Sequence, residues 1–257
     1  MAVIYRKYGK VVDITEFEKA PRRKVRLHHS ASPFKIPSHW IRRKVPLHGL
    51  RRSDNTRRTR QICVRRVSAA LEEYGIPLLA TLTFRGDASD ASFANDSLRD
   101  FQVRLRVAYP EAQSIFVPEL SPRGRIHFHG LLFNVPLHLG DTRVGRRRLR
   151  DGGERKTRVL AKLWREGYVD AIKTDGSRRL AYYISKYISK YITKGSKQVM
   201  FNAMRLLRIS HGFPKETVVR GELAEHLQRE YAKRKPIKEW EGKSIFLGKI
   251  TRKTYEL

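Results

Sequence analysis

A tyrosine-rich segment in the second half of the chain combines residue types that could attack a phosphate ester. Residues 183–194 repeat a four-residue unit, Tyr-Ile-Ser/Thr-Lys, three times. Positions four apart lie nearly above one another on a helix, so the spacing predicts separate stripes of tyrosine, isoleucine and lysine. The isoleucine stripe favours burial, and the tyrosine stripe lies between it and the lysines. A phenol beside cations could act as a nucleophile, although such a stripe is also typical of a core face.

A second candidate group is the triplet His127-Phe128-His129, in a stretch whose composition predicts a strand. Side chains two residues apart on a strand point to the same face, so both imidazoles would lie together. Two imidazoles on one face can bind a divalent metal ion, which commonly takes an oxygen ligand as well. Glu119 ends the preceding strand, and a hairpin around residues 121–124 would bring it alongside. At a strand end, Glu119 could equally be solvated.

The pattern around these groups predicts alternating helices and strands. Apolar periodicity and Gly/Pro punctuation indicate helices at 57–74, 92–108, 154–166 and 178–194, and strands at 78–84, 113–120, 125–133 and 168–173. The short Pro/Gly connection at 121–124 predicts a hairpin between the two middle strands. This order predicts an α+β fold, with an antiparallel central sheet and flanking helices.

The two ends of the chain are expected to lie outside this domain. Residues 1–56 are rich in positive charge and poor in periodic pattern, which predicts a partly disordered basic N-terminal arm. Residues 57–214 would form the domain that carries the candidate groups. Residues 215–257 would be a basic C-terminal extension, with a helix at about 215–233. A Gly- and Arg-rich loop is predicted at 134–153.

Composition limits the classes of partner. The chain has 55 Lys and Arg residues against 25 Asp and Glu residues, for a formal net charge of +30 and a pI near 10.7. A polyanion, most often nucleic acid, best explains that excess, and an acidic membrane surface is the second interpretation. No apolar run reaches the roughly 18 residues that a membrane span needs. The single cysteine, Cys63, excludes an internal disulfide and a cysteine-based zinc site, which indicates an intracellular protein.

Three segments together resemble a known family. Residues 124–130 resemble the His-hydrophobic-His motif of the HUH endonucleases. Residues 183–190 are similar to the Tyr-x-x-Lys-Tyr motif of replication initiators from single-stranded-DNA bacteriophages and related rolling-circle plasmids. Residues 79–84 resemble the first motif of that family, the strand below the active site. The three segments occur in family order, and the resemblance covers residues 78–194.

The resemblance implies an HUH-type, RRM-like fold and a metal-dependent enzyme that nicks and rejoins single-stranded origin DNA to start rolling-circle replication. In that family, two histidines and a nearby acidic or polar residue hold Mg²⁺ or Mn²⁺, which corresponds to His127, His129 and Glu119. A helical tyrosine attacks the phosphorus and leaves a 5′-phosphotyrosyl bond and a free 3′-hydroxyl. A host helicase and polymerase, in the cytoplasm of a bacterial cell, are the implied partners.

Three tyrosines compete for the two roles that the family assigns. Each four-residue step turns the helix by about 400° and rises about 6 Å, so Tyr183 and Tyr191 would differ by about 80° and 12 Å. Only adjacent tyrosines can share one metal ion, and Tyr183 with Tyr187 is the favoured pair. Lys186 and Lys190 flank Tyr187 and could favour its phenolate or steady the phosphate.

Basic residues next to the candidate groups are the predicted DNA contacts. They are Arg123, Arg125, Arg146, Arg147 and Arg148. Phosphate contacts of this kind add affinity without sequence information.

Two other functions remain open at this point. A relaxase or single-tyrosine transposase would use the same chemistry, although the paired tyrosines argue against it. A non-catalytic nucleic-acid-binding protein would use the histidines and tyrosines for packing and stacking, and would bind DNA equally well with a chelator present. Gly242-Lys243-Ser244 lacks the upstream glycine of a phosphate-binding loop, so no nucleotide cofactor is expected.

Overall fold

The computed structural model describes residues 2–20, 53–86, 89–121, 124–136, 159–189 and 205–257. These residues divide into two compact units. The smaller unit contains residues 2–7, 11–20 and 217–257. The larger unit contains residues 8–10 and the described residues between 53 and 216. Among the described residues, no helix has both the length and the apolar character that crossing a membrane requires.

The described residues form five helices and ten strands, which confirms the predicted α+β class. In chain order they are β1 (Ala2–Tyr8), β2 (Val11–Phe17), α1 (Ser53–Tyr74), β3 (Leu78–Phe84), α2 (Ala91–Ala108), β4 (Gln113–Leu120), β5 (Ile126–Phe133), α3 (Val159–Trp164), β6 (Gly167–Lys173), α4 (Arg179–Ser189), β7 (Arg208–Ile209), β8 (Thr217–Arg220), α5 (Glu222–Tyr231), β9 (Lys238–Ser244) and β10 (Gly248–Glu256).

An antiparallel sheet of five strands forms the centre of the larger unit. Its strand order is β6-β3-β5-β4-β7. The middle strand β5 pairs with β3 on one side and with β4 on the other, and β4 turns into β5 through the predicted hairpin. This pairing places the strand that carries the His-x-His triplet at the centre of the sheet.

One face of this sheet packs against α2 and α3. Alternate side chains of β3, including Leu82 and Phe84, are buried on this face with Phe128 of β5. Trp164 of α3 completes the layer, because its ring lies edge-on to Phe84 with the ring centroids 4.9 Å apart. Each fully buried side chain of this size stabilises the fold by about 1.5–3 kcal/mol. The layer therefore fixes the strands whose opposite side chains reach the other face.

The opposite face of the sheet carries α1 and α4. Helix α4 packs on β4 and β5, and α1 packs against α4. At the far end of this face, Tyr74 of α1 meets Phe133 of β5, with ring centroids 6.0 Å apart. Cys63 of α1 is fully buried, and burial raises the pKa of its thiol to about 12. Its sulfur is therefore a packed, protonated thiol rather than a reactive group.

The smaller unit has its own antiparallel-paired sheet and core. The strand order is β8-β1-β2-β10-β9, and β1, β2 and β10 enclose a core with α5. Tyr231 of α5 lies edge-on to Tyr255 of β10, with ring centroids 5.1 Å apart. Val12 and Ile14 of β2 are fully buried beneath them.

The structure corrects the prediction for the chain ends. An arm without regular structure is wrong for residues 2–17, which form β1 and β2, while residues 21–52 lie outside the described residues. The predicted helix at 215–233 begins only at Glu222, and most of the remaining C-terminal segment forms β8, β9 and β10. These strands pair across more than two hundred residues of sequence, as Tyr255 does with Val12. Local pattern carries little information about such pairing.

Candidate active site

His127 and His129 project from β5 onto the sheet face that carries α4. Both side chains are partly buried, whereas Phe128 between them faces the α2 layer and is fully buried. Gly130 follows, and the ring of Phe116 lies so close to it that any added Cβ would collide. The two-residue period of the strand thus places both imidazoles side by side, as the sequence predicts.

Two threonines of β3 lie beside these imidazoles. Thr83 pairs with His127 in the sheet register, and Thr81 pairs with His129. The Thr83 hydroxyl oxygen is 3.2 Å from Nδ1 of His127, and the Thr81 hydroxyl oxygen is 3.3 Å from Nδ1 of His129. Each hydroxyl holds the Nδ1 side of one ring, which directs the Nε2 side away from β3.

Glu119 of β4 reaches the same face from the other side of β5. It stands opposite His127 in the sheet register, but its side chain crosses diagonally to His129. The carboxylate oxygen Oε2 lies 2.5 Å from Nε2 of His129, and both side chains are largely buried. A carboxylate removed from water is stable when it is hydrogen-bonded or ion-paired, which this imidazole provides.

Helix α4 presents its tyrosines to this group. Leu180, Ile184 and Ile188 are buried against the larger unit's core, which fixes how the helix is rotated. Tyr183 and Tyr187 follow on the adjoining stripe, where Tyr187 is only 8% exposed and Tyr183 is 42% exposed. The stripe therefore runs from a buried end over the sheet to an open end at the surface.

The ring of Tyr187 lies flat on the ring of His129. The two planes are inclined by 10°, and their centroids are 4.0 Å apart. The Tyr187 hydroxyl donates a hydrogen bond to the Tyr183 hydroxyl, with 2.7 Å between the oxygens. A continuous set of contacts thus joins Tyr183, Tyr187, His129 and Glu119, although these residues come from three different elements.

The other predicted site residues are placed as follows. Lys186 and Arg125 are exposed. Tyr191 and Lys190 lie outside the described residues, and so do Arg123, Arg146, Arg147 and Arg148. The favoured tyrosine pair is therefore seen at the histidines, whereas the third tyrosine and most of the proposed DNA contacts stay predictions.

The electrostatic setting favours a neutral imidazole at His127. Burial lowers the pKa of His127, and the neighbouring His129 lowers it further, while the carboxylate of Glu119 acts in the opposite sense. A neutral ring keeps a lone pair on one nitrogen. With Thr83 at Nδ1, that lone pair is available at Nε2 for a Lewis acid.

The donor set suits a hard or borderline divalent cation, but it is not drawn together around one point. Two imidazole nitrogens and one carboxylate oxygen are ligand types that Mg²⁺, Mn²⁺ and Zn²⁺ accept. Within the described part of the chain, no group of three or more His, Cys, Asp or Glu side chains has the spacing of a formed metal site. Because Glu119 contacts His129 directly, a cation would enter by separating this pair.

The structure adds residues to the site that sequence reasoning does not select. Thr81 and Thr83 belong to a segment whose composition predicts only an apolar strand. Their alternation with Ala80, Leu82 and Phe84 is the available indication that two hydroxyls share one face. Asp170 of β6 is also buried on this face and stands opposite Thr81 in the sheet register. Its contribution could not be predicted, because the order of strands in the sheet is not a local property.

Comparison with known proteins provides one match. Residues 77–194 match a family model described as replication-associated protein ORF2. The matched segment runs from the residue before β3 through α4, and therefore includes every residue of the contact set described above. The search of curated proteins found no match, and the search of solved structures also found none. The family match supports a role in replication initiation.

Proposed function

We propose that this protein is an HUH-type, two-tyrosine initiator of rolling-circle replication, which nicks single-stranded origin DNA and rejoins it. The observation that carries the proposal is the flat contact between Tyr187 and His129, with Glu119 on the other side of that imidazole. A candidate nucleophile and candidate metal ligands meet there on one sheet face. The family match over residues 77–194 supports the replication role independently.

The proposed reaction is a transesterification at phosphorus. The phenol oxygen of a tyrosine attacks the phosphorus of a phosphodiester and loses its proton to solvent or a neighbouring base. The bond between phosphorus and the 3′-oxygen breaks, and the departing oxygen takes up a proton to become a free 3′-hydroxyl. A 5′-phosphotyrosyl bond remains, which stores the energy for rejoining the strand without a nucleotide cofactor.

His127, His129 and Glu119 would hold a divalent cation for this reaction. Such an ion, when bound, supplies Lewis-acid stabilisation of the charge on the phosphate oxygens. The protein's own part is to align the imidazoles through Thr81 and Thr83 and to exclude water from one side of the sheet. Tyrosine is a weak nucleophile at neutral pH, so it depends on this setting.

We assign the two tyrosine roles to Tyr183 and Tyr187. Tyr183 is exposed and can meet a phosphate without movement of α4, whereas Tyr187 is packed against His129. The Tyr187 hydroxyl donates to the Tyr183 oxygen, and this hydrogen bond would orient that oxygen. Tyr183 would therefore make the first cut, and Tyr187 would act once DNA had displaced it from the imidazole.

The partners in this proposal are single-stranded origin DNA and a host helicase and polymerase in a bacterial cytoplasm. The free 3′-hydroxyl would prime the polymerase. The net charge of +30 favours the DNA electrostatically, and this attraction weakens as salt rises.

The direct test is covalent capture of DNA. Purified protein, incubated with labelled single-stranded origin DNA and Mn²⁺, is expected to form an adduct that survives denaturing electrophoresis. The same mixture with a chelator is expected to bind the DNA without forming the adduct. Intact DNA in both mixtures would support a non-catalytic binding protein instead, and an adduct formed in the presence of chelator would contradict the role of the metal ligands.

The two threonines give a separate prediction. The double variant Thr81→Val, Thr83→Val keeps the side-chain shape but removes both hydroxyls from the imidazoles. We expect the rate of adduct formation to fall by about 10- to 100-fold, because partners of metal ligands typically contribute that much. The midpoint of a Mn²⁺ titration of this rate is expected to rise as well.

Thr251→Val is the matched control for that variant. Thr251 is a strand threonine of β10 in the smaller unit, so the same substitution there should leave both the rate and the Mn²⁺ midpoint unchanged. If the double threonine variant keeps the wild-type Mn²⁺ midpoint, the threonines do not position the imidazoles.

A further inference from the structure

The turn between β9 and β10 exposes two large apolar side chains next to each other. Ile245 is 93% exposed and Phe246 is 85% exposed. Single exposed apolar residues are normal on protein surfaces, but an adjacent pair at the end of a hairpin places its full area in water. Such a pair indicates a contact with a partner rather than a contribution to folding.

This turn is a built structure. The Ser244 hydroxyl oxygen accepts hydrogen bonds from the backbone N–H groups of Phe246 and Leu247, both at 3.3 Å. The backbone N–H of Lys19, just after β2, donates to the carbonyl of Leu247 at 3.0 Å. The turn is thus closed internally and attached to the neighbouring strand, so it presents Ile245 and Phe246 in a defined way.

A third exposed aromatic ring lies on the same hairpin. Trp240 of β9 is 40% exposed, and its indole lies over Gly242, where an added Cβ would collide with the ring. Arg252 stands opposite Trp240 in the sheet register, with its guanidinium carbon 5.9 Å from the ring centroid. The indole therefore lies along the strand, supported by backbone on one side and accompanied by a cation.

The charge of the hairpin favours an anionic partner. From residue 238 to residue 256 it carries five basic residues (Lys238, Lys243, Lys249, Arg252 and Lys253) and three acidic ones (Glu239, Glu241 and Glu256), which is five minus three, or +2. Aromatic rings interleaved with cations are the combination that binds unpaired bases and their phosphates. An acidic protein surface would satisfy the lysines but would leave the exposed rings without a stacking partner.

We infer that the β9–β10 hairpin binds single-stranded DNA, with one base stacked on Trp240, another on Phe246, and phosphates at the neighbouring lysines. From Trp240 to the turn at Ser244 the strand extends about 13 Å, which separates the two stacking positions. The inference takes its ligand from the proposed function, but it requires no cleavage. It gives the smaller unit a DNA-binding role of its own.

The test measures binding without chemistry. A short fluorescein-labelled oligothymidylate is titrated with the full chain in the presence of a chelator, and fluorescence anisotropy gives the Kd. Phe246→Ala and Trp240→Ala are each expected to weaken binding about tenfold, because stacking of one base is worth that much on substitution by alanine. Phe246→Trp and Trp240→Phe retain a ring and are expected to bind within about twofold of wild type.

Two further variants decide what kind of contact the tip makes. Phe246→Leu keeps an apolar side chain without an aromatic face, and it is expected to weaken binding as much as Phe246→Ala. Val107→Ala removes an exposed apolar side chain from α2 in the larger unit, and it is expected to change nothing. Wild-type binding by Phe246→Leu, or by both alanine variants, would overturn the stacking contact.

The result is separable from the proposed function. Because Phe246 is exposed, its substitution should leave the thermal unfolding midpoint unchanged, so weaker binding cannot be a folding defect. A chain that binds oligothymidylate normally in all hairpin variants but still forms the tyrosine adduct would refute only the hairpin role. A chain whose binding depends on the hairpin but which never forms an adduct would refute only the nicking function.

Discussion

The double variant Tyr183→Phe, Tyr187→Phe is expected to lose the covalent DNA adduct by about 10³-fold or more. Both hydroxyls that could attack a phosphate from the described part of α4 are removed, and removal of a nucleophile in a covalent mechanism costs at least this much. The flat contact of the Tyr187 ring with His129 involves no hydroxyl, so phenylalanine can preserve it. The measurement is denaturing electrophoresis of labelled single-stranded origin DNA after incubation with Mn²⁺.

Tyr182→Phe is the matched control for the tyrosine pair. Tyr182 precedes Tyr183 on the same helix and is exposed, but it lies off the stripe that reaches the histidines. Its hydroxyl should be dispensable for the adduct. If the double variant forms the adduct at the wild-type rate, the nucleophile lies elsewhere, and Tyr191 becomes the first residue to test.

The single variants separate the roles of the pair. Tyr183→Phe is expected to reduce the first cut more than Tyr187→Phe, because Tyr183 is the accessible hydroxyl. Tyr187→Phe is expected to accumulate cut but unjoined DNA, because the second transfer would lack its nucleophile. The reverse order of effects would exchange the two assignments and leave the nicking function intact.

Mn²⁺ is expected to raise the thermal unfolding midpoint of the wild-type chain by about 5–10 °C at a concentration of roughly 100 Kd. A ligand at this concentration that binds only the folded state adds about 2.7 kcal/mol to the free energy of unfolding. In a domain of this size, each kcal/mol moves the midpoint by about 2–4 °C. His127→Ala and His129→Ala are each expected to abolish the increase and to reduce adduct formation by at least about 100-fold, since even indirect partners of a metal commonly contribute 10- to 100-fold.

His226→Ala controls for the loss of an imidazole. His226 of α5 is exposed and has a carboxylate partner, since its Nε2 is 3.7 Å from Oε1 of Glu230, so it resembles the His129–Glu119 pair in composition but not in burial. This variant should keep the Mn²⁺ response. Because the pKa of His127 is lowered, protons should begin to compete with Mn²⁺ only below the usual titration range of histidine. An unchanged Mn²⁺ response in His127→Ala and His129→Ala would show that the ion binds elsewhere.

Most elements of the larger unit could be predicted because their patterns are local. The strand at 78–84 has the predicted bounds, and the strands around Glu119 and His127 differ by at most one residue. Each alternates or runs apolar over seven or eight residues, and a Gly or Pro signal marks the turns between them. Helix α1 begins four residues before its predicted start, in line with the usual uncertainty at helix ends.

The smaller unit could not be predicted from such patterns. Residues 2–17 have alternating Val, Ile and Tyr positions, but their charge and the short distance to a basic segment favour an arm. Two strands at one end of a chain are only marginally stable alone, so their existence depends on partners. Those partners, β8 and β10, come from the other end of the chain.

The amino-acid sequence by itself determined which chemical groups share a face. The two-residue period of a strand places His127 beside His129, and the four-residue repeat of a helix places Tyr183 beside Tyr187, whatever else the chain does. Only the tertiary structure decided that these two faces meet, that Tyr187 lies on His129, and that Thr81 and Thr83 hold the imidazoles. Those contacts depend on strand order and on how buried isoleucines rotate α4 over the sheet, and both result from packing between segments far apart in the chain.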